Sequence, residues 1–325
     1  MNRPTPFAVN LKSDVFNSSL IDELRKTFGE YLNENVSLRS WTTFHCEAVA
    51  RAIVSPQNLK DLQKLIQMFV QNELVFGENW RVIGRGSNIL VRDGGYPGIL
   101  IDLSRGFSNI QRMSEDQTEV IVRAEAGVAN GTLLAWTREK CLAGFGFTFG
   151  IPGSIGGGIR MNAGTPLGCF AKVVMKVEGV THQGEGVSFS VGPVDFEYRD
   201  FPKAHEIIIT AGHFCFKRSS PKALEEEIEA AKHLRKNQPL EWPNIGSVFK
   251  NPKGEFAAQL IEASGLKGLR IGDAEISQEH CNFIVNVKSA KTKDVIALMN
   301  RCQEEVYLKF HVQLEPEVHI IGVKE

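Results

Sequence analysis

GIPGSIGGGIRMNAG, residues 150–164, holds six glycines, one proline and a single charge in fifteen residues. Glycine inside a regular element costs about 0.5–1 kcal/mol relative to alanine, so such a run is not built for packing. It reads as backbone that bends sharply, exposes its N–H groups and lets another group approach closely. GRGSN, residues 84–88, is a second stretch of the same character. Convergent amides of this kind hold a phosphate or pyrophosphate. An ordinary turn is the competing reading, with more weight for GRGSN alone than for the pair.

The two commonest phosphate loops both fail here. GRGSN has the G-x-G start of a dinucleotide fingerprint, but Ile89 occupies the third glycine position. The next residues, Ile-Leu-Val-Arg-Asp-Gly-Gly, read as strand and turn, not as the helix a Rossmann loop needs. Neither stretch contains the Gly-Lys-Ser/Thr of a Walker A loop. The option left is a site in which two loops jointly clamp a diphosphate.

Composition limits what else the chain does. Its 325 residues can bury two or three cores. With 37 basic and 38 acidic side chains there is no overall field to recruit nucleic acid or an anionic membrane. Any anion is therefore captured by a local site. No apolar run approaches the ~18–20 residues of a spanning helix, and the N-terminus lacks the apolar core of a signal peptide. The six cysteines are dispersed, without a CxxC pair. That distribution favours free thiols in a reducing cytoplasm and disfavours a structural metal site.

Residues 1–34 read as an extension closed by one helix. There Ser19 and Asp22 resemble a capping box, and Leu20, Leu24 and Phe28 share one face. A second helix has Ser55 as its expected cap, Pro56 in its first turn and a stripe of Leu59, Leu62, Ile66 and Phe69. Strands are expected at 80–83, 89–91, 99–103, 120–124, 173–180 and 207–211, with a helix near 132–140. This is α+β, not a regular βα alternation. A boundary falls near 218–221, where Ser219 or Ser220 caps a charged helix over about 222–236. The remainder, with helices at 256–263 and 292–310 and strands at 281–287 and 317–321, reads as a second α+β domain.

Several motifs then occur in a telling order: GRGSNILVRDGGYPGILIDL, GFTFGIPGSIGGGIRMNAG, YR, GSVFKNP and LEPEV. Together they resemble the UDP-N-acetylenolpyruvoylglucosamine reductase (MurB) family over roughly residues 35–322. The resemblance implies a PCMH-type (vanillyl-alcohol-oxidase-like) FAD fold over 35–218, in subdomains of about 35–104 and 105–218, with a substrate domain over 219–325. It also implies tightly bound FAD, NADPH as hydride donor and a UDP-sugar enolpyruvyl ether as substrate, in peptidoglycan precursor synthesis. A cytoplasmic monomer is expected, with no nucleic-acid or membrane partner.

The resemblance also assigns roles. Arg199 in FEYRDF matches the family's catalytic arginine, whose planar fork suits a carboxylate. Ser247 in GSVFKNP matches the proton donor, and Glu317 in LEPEV the assisting carboxylate. Taken without the family, these are a surface arginine, a turn serine and a strand-end charge. The FAD pyrophosphate is assigned to Gly84, Arg85, Gly86, Ser87 and Asn88, and to Ile151, Pro152, Gly153, Ser154 and Gly157. Asn162 and Gly164 are placed near the flavin. Tyr198, Lys250, Asn251 and Lys267 are the substrate candidates, Asn251 and the lysines for its diphosphate. His280 reads as structural, and no metal is implied.

Two departures from the pattern stand out. The span from Arg199 to Ser247 is too short for the substrate-closing insertion of one subclass. The chain therefore resembles the type II subclass and lacks that insertion's tyrosine lid. The family's TTFxxGG reads Thr42-Thr43-Phe44-His45-Cys46-Glu47 here. Its glycine pair is gone, which puts the backbone's approach to FAD at that point in question. An oxygen-using oxidase of the same fold, and a binding module without catalysis, are the alternative readings. The C-terminal motifs argue against the first, and the set Arg199, Ser247 and Glu317 against the second.

Overall fold

The computed structural model describes Phe16 and residues 18–325. Residues 1–15 and 17 of the expected extension lie outside them. The helix Ser18–Phe28 buries Leu20, Ile21, Leu24 and Phe28, the stripe its spacing suggests. It begins at Ser18, so Ser19 lies inside the helix and does not cap it.

A mixed four-stranded sheet is central. Its order is Leu32–Ser37, Val49–Val54, Tyr96–Asp102, Trp80–Ile83; the first pair is antiparallel and the others parallel. Successive strand residues face opposite sides, and here both sides are covered. Ala52, Val54, Ile99 and Ile101 enter one core, while Ala50, Ile53, Tyr96 and Leu100 enter another. This sheet is thus the partition between the two cores of the molecule. The helix Leu59–Gln71 covers its first face. The cap of that helix is Asn58, whose side chain accepts from the Asp61 amide at 3.0 Å. Ser55, the expected cap, is buried instead and donates to Asp102 Oδ2 at 3.2 Å.

The first core continues into an antiparallel sheet of order Gly186–Ser190, Val174–Thr181, Ile207–Arg218, Glu119–Glu125, Ile110–Glu115. Phe145, Phe170, Phe214 and Phe216 pack edge to face or stacked beneath it. The helix Pro221–Arg235, capped by Ser220, sends Ile228 into this same core. Its Glu227 accepts from the Gly146 amide at 2.9 Å. The helix is thereby laid along the approach to the glycine stretch.

The second core lies under an antiparallel sheet of order Asn244–Ser247, Phe283–Asn286, Ala274–Ile276, Arg270–Ile271, with the helices Ala257–Ala263 and Thr292–Phe310. Several links join this C-terminal body to the loops ahead of it, two of which set its place. The amides of Thr292 and Lys293 donate to the Asp93 carboxylate at 2.8 and 2.9 Å, an anion at a helix N-terminus. His319–Ile321 pairs in parallel with Ile89–Val91, the strand that leaves GRGSN. Among the described residues no helix is long and apolar enough to cross a membrane.

The open face of the antiparallel sheet carries a charge cluster. Glu178 accepts from Arg123 Nη2 at 2.8 Å and pairs with His213 Nε2 at 2.6 Å. The Arg123 guanidinium, helped by His213, holds the Glu178 carboxyl down at about 2. A carboxyl depressed on folding stabilises above its ordinary value, and the gain is lost as pH falls toward the folded value. The melting temperature of the wild type is therefore expected to fall between about pH 4.5 and 2 in part through this group. Glu178→Gln is expected to remove that component and to cost about 1–3 kcal/mol at neutral pH. Thermal denaturation across pH checks both.

Candidate active site

Where these bodies meet lies a cleft of about 1270 Å³. A site for one drug-sized ligand is ~300–1,000 Å³, so this cleft has room for a cofactor and part of a second molecule. One wall is GRGSN. Gly86 has φ +59°, and any Cβ on it would collide with the Trp41 carbonyl; only glycine fits. The other wall is the 150–164 stretch, which turns into a short helix, Ile155–Arg160, that its glycines had concealed. The two stretches face each other closely: a Cβ on Gly84 would lie 2.9 Å from Ser154 Oγ.

Behind this cradle stands Asn130, a residue not singled out by the sequence. Its backbone N–H donates to the Gly153 carbonyl at 3.0 Å, and its side-chain Oδ1 is buried with no partner. A buried acceptor without a donor is costly. Beside two glycine loops it marks a place completed by a bound donor. The donors and open backbone here fit a dinucleotide such as FAD.

The three expected catalytic side chains come together in the same cleft. Glu197 and Asp200 exchange backbone hydrogen bonds of 3.0 and 3.3 Å, which forces Arg199 into the left-handed region at φ +60°. Such a conformation is rare for a non-glycine residue and gathers at functional sites. From this turn Arg199 Nε donates to Glu317 Oε1 at 3.0 Å, and Nη2 donates to the Gly164 carbonyl at 2.9 Å. Tyr198 lies under the guanidinium, 4.9 Å from ring centre to Cζ.

Glu317 is held through its own backbone. Its N–H donates to the Val248 carbonyl at 2.8 Å, and its carbonyl accepts from Asn88 Nδ2 at 3.0 Å. Val248 comes directly after Ser247, so the proton-donor candidate and the carboxylate occupy adjoining segments. Burial raises the Glu317 pKa, against the opposing pull of Arg199. His319, one strand repeat further, also lines the cleft. Desolvation, with Arg160 and Arg81 adding to it, lowers its pKa from the usual histidine value.

Of the expected cofactor residues, all of 84–88, Ile151, Pro152, Gly153, Ser154, Gly157 and Gly164 line the cleft. Asn162 does not. Its side chain donates to the Glu197 carbonyl at 2.9 Å and accepts from the Ala171 amide at 3.0 Å, bracing the turn that carries Arg199. Of the substrate candidates only Asn251 lines the cleft. Tyr198 is half exposed beneath Arg199, Lys250 pairs with Glu315 at 2.7 Å, and Lys267 pairs with Glu262 at 2.7 Å on the surface. The altered TTFxxGG segment is less disruptive than its sequence suggests. Cys46 turns into the second core and Glu47 outward to Arg39, while Thr43 and His45 reach the cleft.

Arg235 is the cation that sequence patterns miss. It ends the helix Pro221–Arg235, lies over Gly150 and lines the cleft. Its Nη1 donates to Gln238 Oε1 at 3.0 Å and its buried Nε has no partner. Burial alone pulls its pKa down to about 10, so it stays charged. A desolvated cation of this kind is stable beside an anion. His280 likewise lines the cleft with its Nδ1 buried and unpartnered. Arg160, the one charge in the 150–164 stretch, lines the cleft as well, and Arg235 carried no local signal.

Comparison with known proteins agrees with this geometry. An FAD binding domain family matches residues 50–190, and the UDP-N-acetylenolpyruvoylglucosamine reductase C-terminal domain family matches residues 238–321. The UDP-N-acetylenolpyruvoylglucosamine reductase of Syntrophus aciditrophicus (strain SB) is 36% identical over 286 residues, covering 88% of this chain and 90% of that protein. The corresponding protein of Exiguobacterium sibiricum is 41% identical over 244 residues, covering 74% and 78%. Among solved structures, the reductase of Thermus caldophilus superposes with a TM-score of 0.74 at 32% identity, covering 88% of this chain and 97% of that one. The α+β fold with an FAD-binding domain, expected from the motifs, stands on these matches.

Gly86→Ala tests the cradle. The clash with Trp41 and the left-handed backbone are expected to cost about 1–3 kcal/mol. Chemical denaturation of the variant beside the wild type measures it.

Proposed function

The chain belongs to the UDP-N-acetylenolpyruvoylglucosamine reductase family, and we propose that Arg199, Glu317 and Ser247 carry its reaction, the reduction of UDP-N-acetylglucosamine enolpyruvate to UDP-N-acetylmuramate in peptidoglycan precursor synthesis. Bound FAD, reduced by NADPH, supplies hydride to the terminal vinyl carbon of the enolpyruvyl group. The chain's own residues handle the resulting charge and the proton.

As the vinyl carbon gains hydride, negative charge moves onto the substrate carboxylate. Arg199 stabilises it there. Two of its N–H groups are already committed to Glu317 and Gly164, so the guanidinium is pre-aimed and the rest of its fork is left for the carboxylate. A cation fixed in place before charge develops needs no reorganisation. Ser247 delivers the proton to the neighbouring carbon. Glu317, with its proton affinity raised by burial, stands one segment away to restore the hydroxyl proton.

The glycine loops and Asn130 hold the FAD pyrophosphate and its neighbouring hydroxyls. Of the diphosphate candidates Asn251 stays in the cleft, and Arg235 takes the place of Lys250 and Lys267, which are tied to surface carboxylates. Free thiols at all six cysteines and soluble nucleotide substrates support a cytoplasmic enzyme.

The observation that carries this reading is the Arg199–Glu317 contact in a cleft that Ser247 also lines. Ser247→Ala is expected to leave flavin reduction by NADPH intact and to lower substrate turnover by about 10²–10⁴-fold. Arg199→Lys, which loses the planar fork, is expected to lower kcat by about 10²–10³-fold. Stopped-flow flavin spectra separate the two half-reactions. Unchanged turnover in Ser247→Ala removes that residue from its role, and a purified protein that takes up no FAD overturns the function.

A further inference from the structure

Four large apolar side chains that are exposed at the surface also line the cleft: Leu234, Leu240, Trp242 and Phe256, the last three at 50%, 45% and 57% exposure. Isolated exposed apolar residues need no explanation, but a group gathered on one concave site does. Trp242 is the planar member of the group, and it is held in place. Its N–H donates to the Pro239 carbonyl at 3.3 Å and its carbonyl accepts from Asn244 Nδ2 at 2.8 Å. Asn244 Nδ2 also reaches the Pro239 carbonyl at 3.1 Å, while the Asn244 carbonyl accepts from Thr43 Oγ1 at 2.7 Å. These main-chain bonds fasten the backbone of Trp242 to the strand Asn244–Ser247 that carries Ser247, with its ring exposed on the cleft. The same connecting segment begins at Arg235, the half-buried cation whose Nε has no partner.

An aromatic plane and apolar surface beside an unneutralised cation, all on one cleft, match a planar base joined to a diphosphate. We propose that Trp242 is the platform on which the uracil of the substrate stacks, with Leu240 and Phe256 shielding it from water. This rests on the reductase function proposed for the chain and assigns the base subsite within it. The uracil thus gains a fixed platform in a chain whose sequence lacks the tyrosine-bearing insertion. NADPH offers the same chemistry through its adenine, so the test separates the two nucleotides.

The experiment titrates UDP, and separately NADP⁺, into FAD-loaded wild type, Trp242→Ala, Trp242→Phe and Trp242→Leu, reading the flavin difference spectrum. Loss of base–aromatic stacking is expected to weaken UDP binding in Trp242→Ala by about 5- to 100-fold. Trp242→Phe is expected to recover most of that loss and Trp242→Leu, which keeps bulk without a π face, little of it. NADP⁺ affinity is expected to change by less than about threefold, well below one stacking contact, and steady-state KM for the UDP sugar to move more than kcat. Should the alanine variant fail to fold, the phenylalanine–leucine pair decides alone. Equal UDP affinity in Phe and Leu variants, or a loss confined to NADP⁺, overturns the proposal while wild-type turnover stands. A wild type that neither binds UDP nor turns over its enolpyruvyl sugar overturns the function itself.

Discussion

Parallel pairing of His319–Ile321 with Ile89–Val91 is the constraint on which the cleft depends. The strand leaving GRGSN has few residues of its own and would be a weak edge by itself. By pairing with it, the chain's late strand brings Glu317 beside Asn88 and sets the C-terminal body over the glycine loops. The Asp93 carboxylate, two residues past Ile89–Val91, binds the same body a second time through the amides of Thr292 and Lys293. The placement of Ser247 and Glu317 against the glycine loops is thus set by strand pairing together with the Asp93 and Asn88 side chains.

The electrostatics depend on that placement. A buried arginine–carboxylate pair seldom adds net stability, because desolvation offsets the attraction. The Arg199–Glu317 contact is better understood as positioning. Its guanidinium is also anchored to the Gly164 carbonyl, and its backbone is held in a strained turn that Asn162 braces. Arg235 is a different case, a half-buried cation on the cleft wall without an acid partner. Strain at one site and an uncompensated charge at the other both sit on the cleft, where a ligand can offset them.

Much of this was legible in the sequence because it was local. The helix Thr292–Phe310 has the expected bounds, and Ser220, one of the two expected candidates, caps Pro221–Arg235. The glycine loops declared themselves through composition, and the family motifs picked out Arg199, Ser247 and Glu317. What the sequence withheld depends on contacts across the chain. Ser55 looks like a helix cap, yet Asp102, a strand away, claims its hydroxyl and Asn58 takes the capping role. Asn162 belongs to the right motif but spends its amide on Glu197 and Ala171. Lys267 looks like a free charge until Glu262 is placed beside it. Asn130, Arg235 and His280 matter through a missing partner in a folded wall, which no local pattern records.

The strand His319–Ile321 has one more consequence, for biosynthesis. It comes after every other part of the cleft in the order of synthesis, yet it sits against a strand made more than two hundred residues earlier. The central sheet and the glycine loops can form while the chain is still growing, but the cleft has no complete wall until this strand emerges. Until then Ile89–Val91 presents an unpaired edge, the kind of surface that recruits foreign strands. Firm retention of the flavin and protection of that edge therefore arrive in the same late step of chain elongation.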